Sequence, residues 1–234
     1  MDGNGRWAKA RGLPRIEGHR RGVETVREVV KGCRELGIRF LTLYAFSAEN
    51  WRRPPTEIKA LMRLLATFLR RETNELIEQR VRLHAVGQVD DLPGPVRREL
   101  DRALAATRHF DEWNLALALS YGSRQEAAAA ARAYAEAAVR GEEDPAACTW
   151  ERFRRYLFTA DIPDPDLIVR TSGESRLSNF LMLQGAYSEL FFTPVLWPDF
   201  TREHLREAAE CFRSRERRYG LTGDQLRAIP AAVS

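Results

Sequence analysis

The stretch RFLTLYAFSAENWRRP, residues 39–54, decides the fold. Its first half is aromatic and β-prone with almost no polar interruption, which reads as a buried strand ending at Ser47. Its second half turns abruptly polar, and Pro54-Pro55 then open a helix. Upstream, Val23, Val26, Val30, Cys33 and Leu36 recur at helical spacing, and Gly37 supplies a stop. Downstream, residues 53–79 form the longest helical pattern, with Thr56 as its expected cap. Its apolar positions, from Ile58 through Phe68 to Leu76, cover more than one narrow stripe. Such a helix faces a core on two sides or an apolar cavity.

The alternation continues to the end of the chain. VRLHAVG (81–87) is a second strand, DDLPGP a turn, and Val96 to Thr107 a helix. NLALALS (114–120) is a third strand, followed by a Ser123/Glu126 capping box and an Ala-rich helix. GEEDPAAC (141–148) breaks that helix, and a short helix covers Trp150 to Leu157. DLIVRTS (166–172) and ELFFTPV (189–195) are the fourth and fifth strands, and Thr201 caps the last helix. Strands alternating with helices imply an α/β fold: a mostly parallel central sheet flanked by helices, in a single domain over residues 1–234.

Ligands of open parallel sheets bind beyond the carboxyl ends of the strands. The polar clusters lie there: SAENWRRP after the first strand, YGSRQE after the third, RTSGESRLSNF after the fourth. In the last, Arg170 and Arg176 offer fork-shaped donors, Ser172 and Ser178 offer hydroxyls, and Gly173 lets the loop bend, which suits a diphosphate. The opening MDGNGRWAKARG (1–12) offers Asp2 for a hard cation such as Mg2+ and Arg6 for phosphate oxygens. Taken alone it reads rather as a polar tail.

With 44% hydrophobic and 30% charged residues the composition is that of an ordinary globular protein. The net charge of +4 suits an anionic ligand. The densest basic run, RSRERRYG (213–220), falls at a helix end where cations favour the macrodipole, so nucleic acid is not the expected partner. Three scattered cysteines and four histidines lack metal-site spacing. No apolar run is long enough to span a bilayer and no signal-peptide pattern opens the sequence, so the expected compartment is cytoplasmic. A P-loop, a dinucleotide fingerprint and a nucleophile elbow are all missing.

DGNGRWA, LPRIEGHRRG, FSAENWRRP, SYGSRQE and RTSGESRLSNF…AYSELFF resemble, in order, the motif series of the cis-prenyltransferases, the undecaprenyl diphosphate synthase family of bacterial type. The resemblance runs from Asp2 to about Phe200. It implies condensation of isopentenyl diphosphate onto an allylic diphosphate such as farnesyl diphosphate. It also implies an apolar tunnel, to which the long helix contributes, and a product such as undecaprenyl diphosphate, a carrier for cell-wall synthesis. Asp2 would be the Mg2+ ligand beside the leaving diphosphate, with Glu189 a second Mg2+-associated carboxylate. Gly3, Asn4, Gly5 and Arg6 would surround that diphosphate, with Arg15 and His19 closing on it. Arg170, Arg176, Leu177 and Ser178 would hold isopentenyl diphosphate. Trp7, Ser47, Ala48, Glu49, Trp51 and Arg53 match positions that line and order the substrates. Asn50 matches the position assigned to proton removal; an amide is a poor base, so it is expected to orient substrate while a diphosphate oxygen takes the proton. A homodimer is implied, as is peripheral membrane association through the lipid product.

Ser123 and Leu183 depart mildly from the pattern. The larger departure is at the front, where an apolar strand is expected ahead of Asp2. The first family strand is therefore expected to be missing from this sequence, with Met1 an internal residue of a longer protein and Asp2 beside a mobile terminus. The ammonium of Met1 would repel the cation, and activity is expected to be weak. Two rival readings fare worse. A non-catalytic partner subunit would lack Asp2, Arg170 and Arg176, and an RNA-binding domain would carry exposed aromatics on basic strands.

Overall fold

The third strand organises the molecule, as seen in a computed structural model that describes residues 1–215. This strand, β3 (Trp113–Tyr121), is buried along almost its whole length. It lies between β1 (Phe40–Ser47) and β2 (Val81–Val86), both parallel to it, in the order β1-β3-β2. Side chains alternate across a strand. The leucines 115, 117 and 119 therefore enter one large core, while Ala116 and Ala118 enter a smaller one with Val86, Tyr121, Ile162 and Leu181. Each buried leucine contributes roughly 1.5–3 kcal/mol, so the leucine face is the dominant one.

The leucine face is covered by α2 (Arg15–Glu35), α3 (Pro55–Glu78) and α4 (Gly94–Thr107). The helix α5 (Ser123–Val139) follows β3, with α6 (Trp150–Phe153) beyond it. A second parallel pair, β4 (Leu167–Arg170) and β5 (Glu189–Phe192), precedes α7 (Arg202–Arg213). Among the described residues no ladder joins the two sheets, so the parallel sheet expected as one unit is divided into three strands and two.

The opening residues are not a tail. Asn4–Ala10 form α1, entered through Gly3 at φ 97°. The helix crosses α2 so closely that a Cβ on Gly18 would sit 1.9 Å from the Asn4 carbonyl oxygen. That approach is open to glycine alone, and it locks residues 2–6 over the start of α2. The helix α2 begins at Arg15, well before the apolar periodicity shows it. Two expected caps are also corrected. The α3 cap position is Pro54, not Thr56, and α5 is preceded by Gly122 without a side-chain cap. Glu126 is instead buried, accepting hydrogen bonds from Tyr121 Oη, the Thr159 backbone N–H and hydroxyl, and Gln184 Nε2. The Thr201 cap holds, with His204 completing the box. The basic run from Arg213 continues past the described residues. No helix among those described is long and apolar enough to cross a membrane.

Candidate active site

Asp2 sits where α1, β4 and the segment after β5 meet. Its backbone N–H donates to Thr171 Oγ1 (2.9 Å), and its carbonyl accepts from Trp197 N–H (2.9 Å) and Thr171 Oγ1 (3.1 Å). These bonds anchor a residue expected to be mobile. The carboxylate accepts the Gly3 N–H at 2.6 Å and Arg170 Nη2 at 3.1 Å, with Arg6 Nη2 at 3.7 Å. Partial burial pushes its pKa up, but the Gly3 N–H, Arg170 and Arg6 outweigh that effect and hold it below the ordinary carboxylate value. Burial, the largest effect, pushes the Met1 amine down to about 6.

Arg170 links Asp2 to the loop after β4. Its Nη1 donates to the Arg176 carbonyl and to Ser178 Oγ at 2.6 Å. Within this loop Ser172, Ser178, Asn179 and Leu181 all take positive φ, between 45° and 85°, without being glycine. Left-handed backbone in non-glycine residues is held against a cost of about 1–3 kcal/mol each, and it clusters at functional sites. Asn179 ties the loop to two others: its amide donates to Glu49 (2.8 Å) and Gln125 (3.0 Å) and accepts the Arg124 N–H (2.9 Å). Burial raises the Glu49 pKa, but the Asn179 bond and the local donors more than offset that, leaving it lowered.

The turn after β1, residues Ala48–Arg52, faces Asp2 across a cavity of about 290 Å3. Asn50 lines that cavity while its Oδ1 accepts the Ser47 N–H at 3.2 Å, which fixes the orientation of the amide. Arg53 (3.0 Å) and Arg15 (3.5 Å) converge on one carboxylate oxygen of Glu57 in the first turn of α3. His19 lies among them. Burial first, then Arg53 and Arg15, pushes its pKa down to about 4 against the opposing pull of Glu57, so it is neutral at physiological pH. From this polar mouth the cavity runs inward between α2 and α3, over Val26, Leu65, Phe68, Leu117 and Leu119.

Three buried polar atoms here have no hydrogen-bond partner: Asn4 Oδ1, His19 Nε2 and Ser172 Oγ. Asn4 and His19 line the cavity mouth, while Ser172 packs behind Gly3 outside the lining. Buried polar groups are nearly always paired, so the two orphans at the mouth indicate a polar ligand. The structure thus brings Asp2, Gly3, Asn4, Gly5, Arg6, Arg15, His19, Asn50 and Arg53 onto one cavity, with Arg170 and Ser178 joined to Asp2 behind it. Other expected residues lie elsewhere. Trp7 turns away to donate to Asp199 (2.7 Å), with Arg11 stacked on its ring at 4.2 Å. Trp51 packs edge-on against Phe46 and donates to Ser120 Oγ at 2.9 Å. Arg176 pairs with Glu174, and Leu177 is half-buried between it and Ser178. Glu189 begins β5 opposite Leu167, at the far end of the strand pair from Arg170, and pairs with Arg215 at 3.0 Å. Sequence reasoning named Ser172 but missed Glu57 and Asn179. Only Glu57 left a signal, four residues after Arg53 at helical spacing.

Among the described residues no three His, Cys, Asp or Glu side chains converge as a metal cage. The Asp2 carboxylate is nevertheless 41% exposed at the mouth. One carboxylate beside a cluster of arginines fits Mg2+, which commonly takes one or two protein carboxylates and completes its shell with water and phosphate oxygens.

Residues 1–220 match the profile of a family described as "Putative undecaprenyl diphosphate synthase". The chain belongs to this family of prenyltransferases. Isoprenyl transferase of Heliobacterium mobile is 50% identical over 220 residues, 94% of this chain and 85% of the relative. That of Rhizobium meliloti is 51% identical over the same share of this chain and 89% of its own. Among solved structures, lavandulyl diphosphate synthase from Lavandula x intermedia, in complex with dimethylallyl diphosphate, superposes with a TM-score of 0.91 at 34% identity, covering 94% of this chain and 95% of that one. A probable undecaprenyl diphosphate synthase from Campylobacter jejuni gives 0.75 at 33% identity, over 86% and 92%. Membership of this prenyltransferase family carries prenyl chain elongation as the activity class.

Proposed function

We propose that this prenyltransferase condenses isopentenyl diphosphate onto an allylic diphosphate such as farnesyl diphosphate. The observation that carries the reading is one cavity with a cationic, orphan-lined mouth and an apolar body. Arg6, Arg15, Asn4 and His19 would bind the allylic diphosphate, and Val26 to Phe68 would enclose its chain. Arg170, Arg176 and Ser178 would bind the second diphosphate. In the reaction the allylic C1–oxygen bond breaks and C1 joins the terminal alkene carbon of isopentenyl diphosphate. A proton leaves that substrate's C2, and inorganic diphosphate departs. Asn50, with its amide oriented by the Ser47 N–H, would orient the alkene rather than act as base, leaving a diphosphate oxygen to take the proton. Mg2+ at Asp2 would neutralise charge on the departing diphosphate. The donors of Arg6 and Arg15 would stabilise the same charge from a fixed geometry.

Further readings belong with this one: a polyprenyl product such as undecaprenyl diphosphate for cell-wall synthesis, a cytoplasmic enzyme, and peripheral membrane contact through the product. A homodimer is supported by the apolar exposure of Leu190 and Phe192 on β5. The Glu189 carboxylate would join a metal only if loop closure or a second copy brought it to a diphosphate.

The test is incubation of the chain with farnesyl diphosphate, labelled isopentenyl diphosphate and Mg2+, with sizing of the lipid product. Label in polyprenyl diphosphates is expected. Label remaining wholly in isopentenyl diphosphate overturns the reading.

A further inference from the structure

The cavity ends part-way down the two helices that wall it. On α2 its lining stops at Val26, on α3 at Phe68 and on β3 at Leu117. The next residues inward, Val29, Leu69 and Leu115, are fully buried core. From that level on, α2 and α3 are tied by a polar ladder on their outer side. Arg27 grips Glu72 with both Nε (2.8 Å) and Nη2, Lys31 stands 4.0 Å from Glu75, and Arg34 donates to Gln79 at 3.3 Å. Gln79 in turn donates to Glu75 at 2.7 Å, closing the ladder on itself. Glu72 is the unusual member, a carboxylate whose side chain is only 7% exposed among the buried residues of α3, which are otherwise apolar apart from Thr73. At 1.5 Å per residue, about 12 Å of α2 and about 9 Å of α3 lie beyond Arg27 and Glu72, slightly more α2 than the roughly 10 Å from His19 to Val26.

We propose that the Arg27–Glu72 pair is a specificity-determining latch, fixing how long a prenyl chain the α2–α3 seam admits. The inference rests on the proposed use of the cavity as the chain's tunnel. A chain that outgrows the cavity must part the seam below Val26 and Phe68. Separating the helices there breaks a two-pronged ion pair and leaves Glu72 charged in an apolar wall, the costliest state for a buried carboxylate. The leucine and valine packing resists the same opening, but these side chains can pack against the incoming chain as well as against one another. The ion pair has no such replacement, so it sets the limit.

The test uses n-alkyl diphosphates, dead-end ligands of increasing length, titrated calorimetrically against the wild type, Glu72→Gln and the double variant R27M/E72M. The double variant keeps apolar volume without a lone charge, and thermal melting checks that each protein is folded. Affinity of the wild type should rise by about fourfold per added methylene while the chain is being buried. It should then reach a break. In both variants the break should move to longer chains by at least one isoprene length, with affinity for short chains within twofold of wild type. In condensation assays the products should lengthen by one or more isoprene units. A break at the same length in both variants, or in the double variant alone if Glu72→Gln does not fold, overturns the latch. Affinity independent of chain length in the wild type overturns the tunnel reading beneath it, so the two failures are distinguishable.

Discussion

Asp2 holds three positive or donor groups at once, the Gly3 N–H, Arg170 and Arg6, while leaving its carboxylate partly open. Asp2→Ala should therefore lower the condensation rate at least about a hundredfold, the scale of losing one electrostatic contact at a reacting centre. Unfolding should shift by no more than about 2 kcal/mol, since the bonds removed lie at the surface of the site although Arg170 is only 15% exposed. A rate within a few-fold of wild type contradicts the assignment. His19 yields a prediction of opposite sign. Its folded pKa of about 4 lies below the ordinary 6.5, so the neutral form stabilises the fold fully above pH 6.5, and that contribution fades as pH falls toward 4. An anionic ligand would pull the pKa back up. Diphosphate binding at pH 5.5 should then take up more protons in the wild type than in His19→Gln, read by calorimetry in buffers of different ionisation enthalpy. Equal uptake would remove His19 from the diphosphate site. Arg176→Ala should raise the KM for isopentenyl diphosphate well above any change for the allylic substrate. A change confined to the allylic substrate would mean the two diphosphate sites are exchanged.

At the scale of elements, the crossing of α1 on α2 decides where the mouth residues stand. Gly18→Ala forces a Cβ into the Asn4 carbonyl, a backbone atom that cannot swing aside. The substitution should cost about 1–3 kcal/mol in a denaturant titration and displace Asn4 and Arg6 with it, so activity should fall along with stability. Unchanged activity would show that α1 does not position the site. This crossing was the least legible part of the chain. A seven-residue helix with glycines at its start and no capping side chain has no local signature, because it is held by α2 rather than by its own sequence. The strands and the long α3 were legible, since β1, β3 and α3 carry continuous apolar runs whose period and length separate them. Caps were read less well. Ser123 and Glu126 have the spacing of a capping box, but Glu126 finds four donors in the interior and is drawn there instead.

For the whole molecule, the order β1-β3-β2 and the division into two sheets could not be read from the chain, because pairing is set by packing between distant segments. The placement of the polar clusters could, because the ends of parallel strands fall on one edge whatever their order. The site followed from that rule at Arg53, Asn50 and Arg170. Trp7 and Trp51, which the resemblance matched to substrate-lining positions, instead direct their indole N–H groups to Asp199 and Ser120. In the proposed reading, one cavity takes a diphosphate at its mouth and an isoprenoid chain in its body. A crystal structure with Mg2+ and an unreactive allylic thiodiphosphate tests it most directly. The diphosphate should lie against Asp2, Arg6, Arg15 and His19, with the chain between α2 and α3 reaching Val26 and Phe68. A diphosphate bound only at Arg176 and Ser178, or a chain lying outside that cavity, would contradict it.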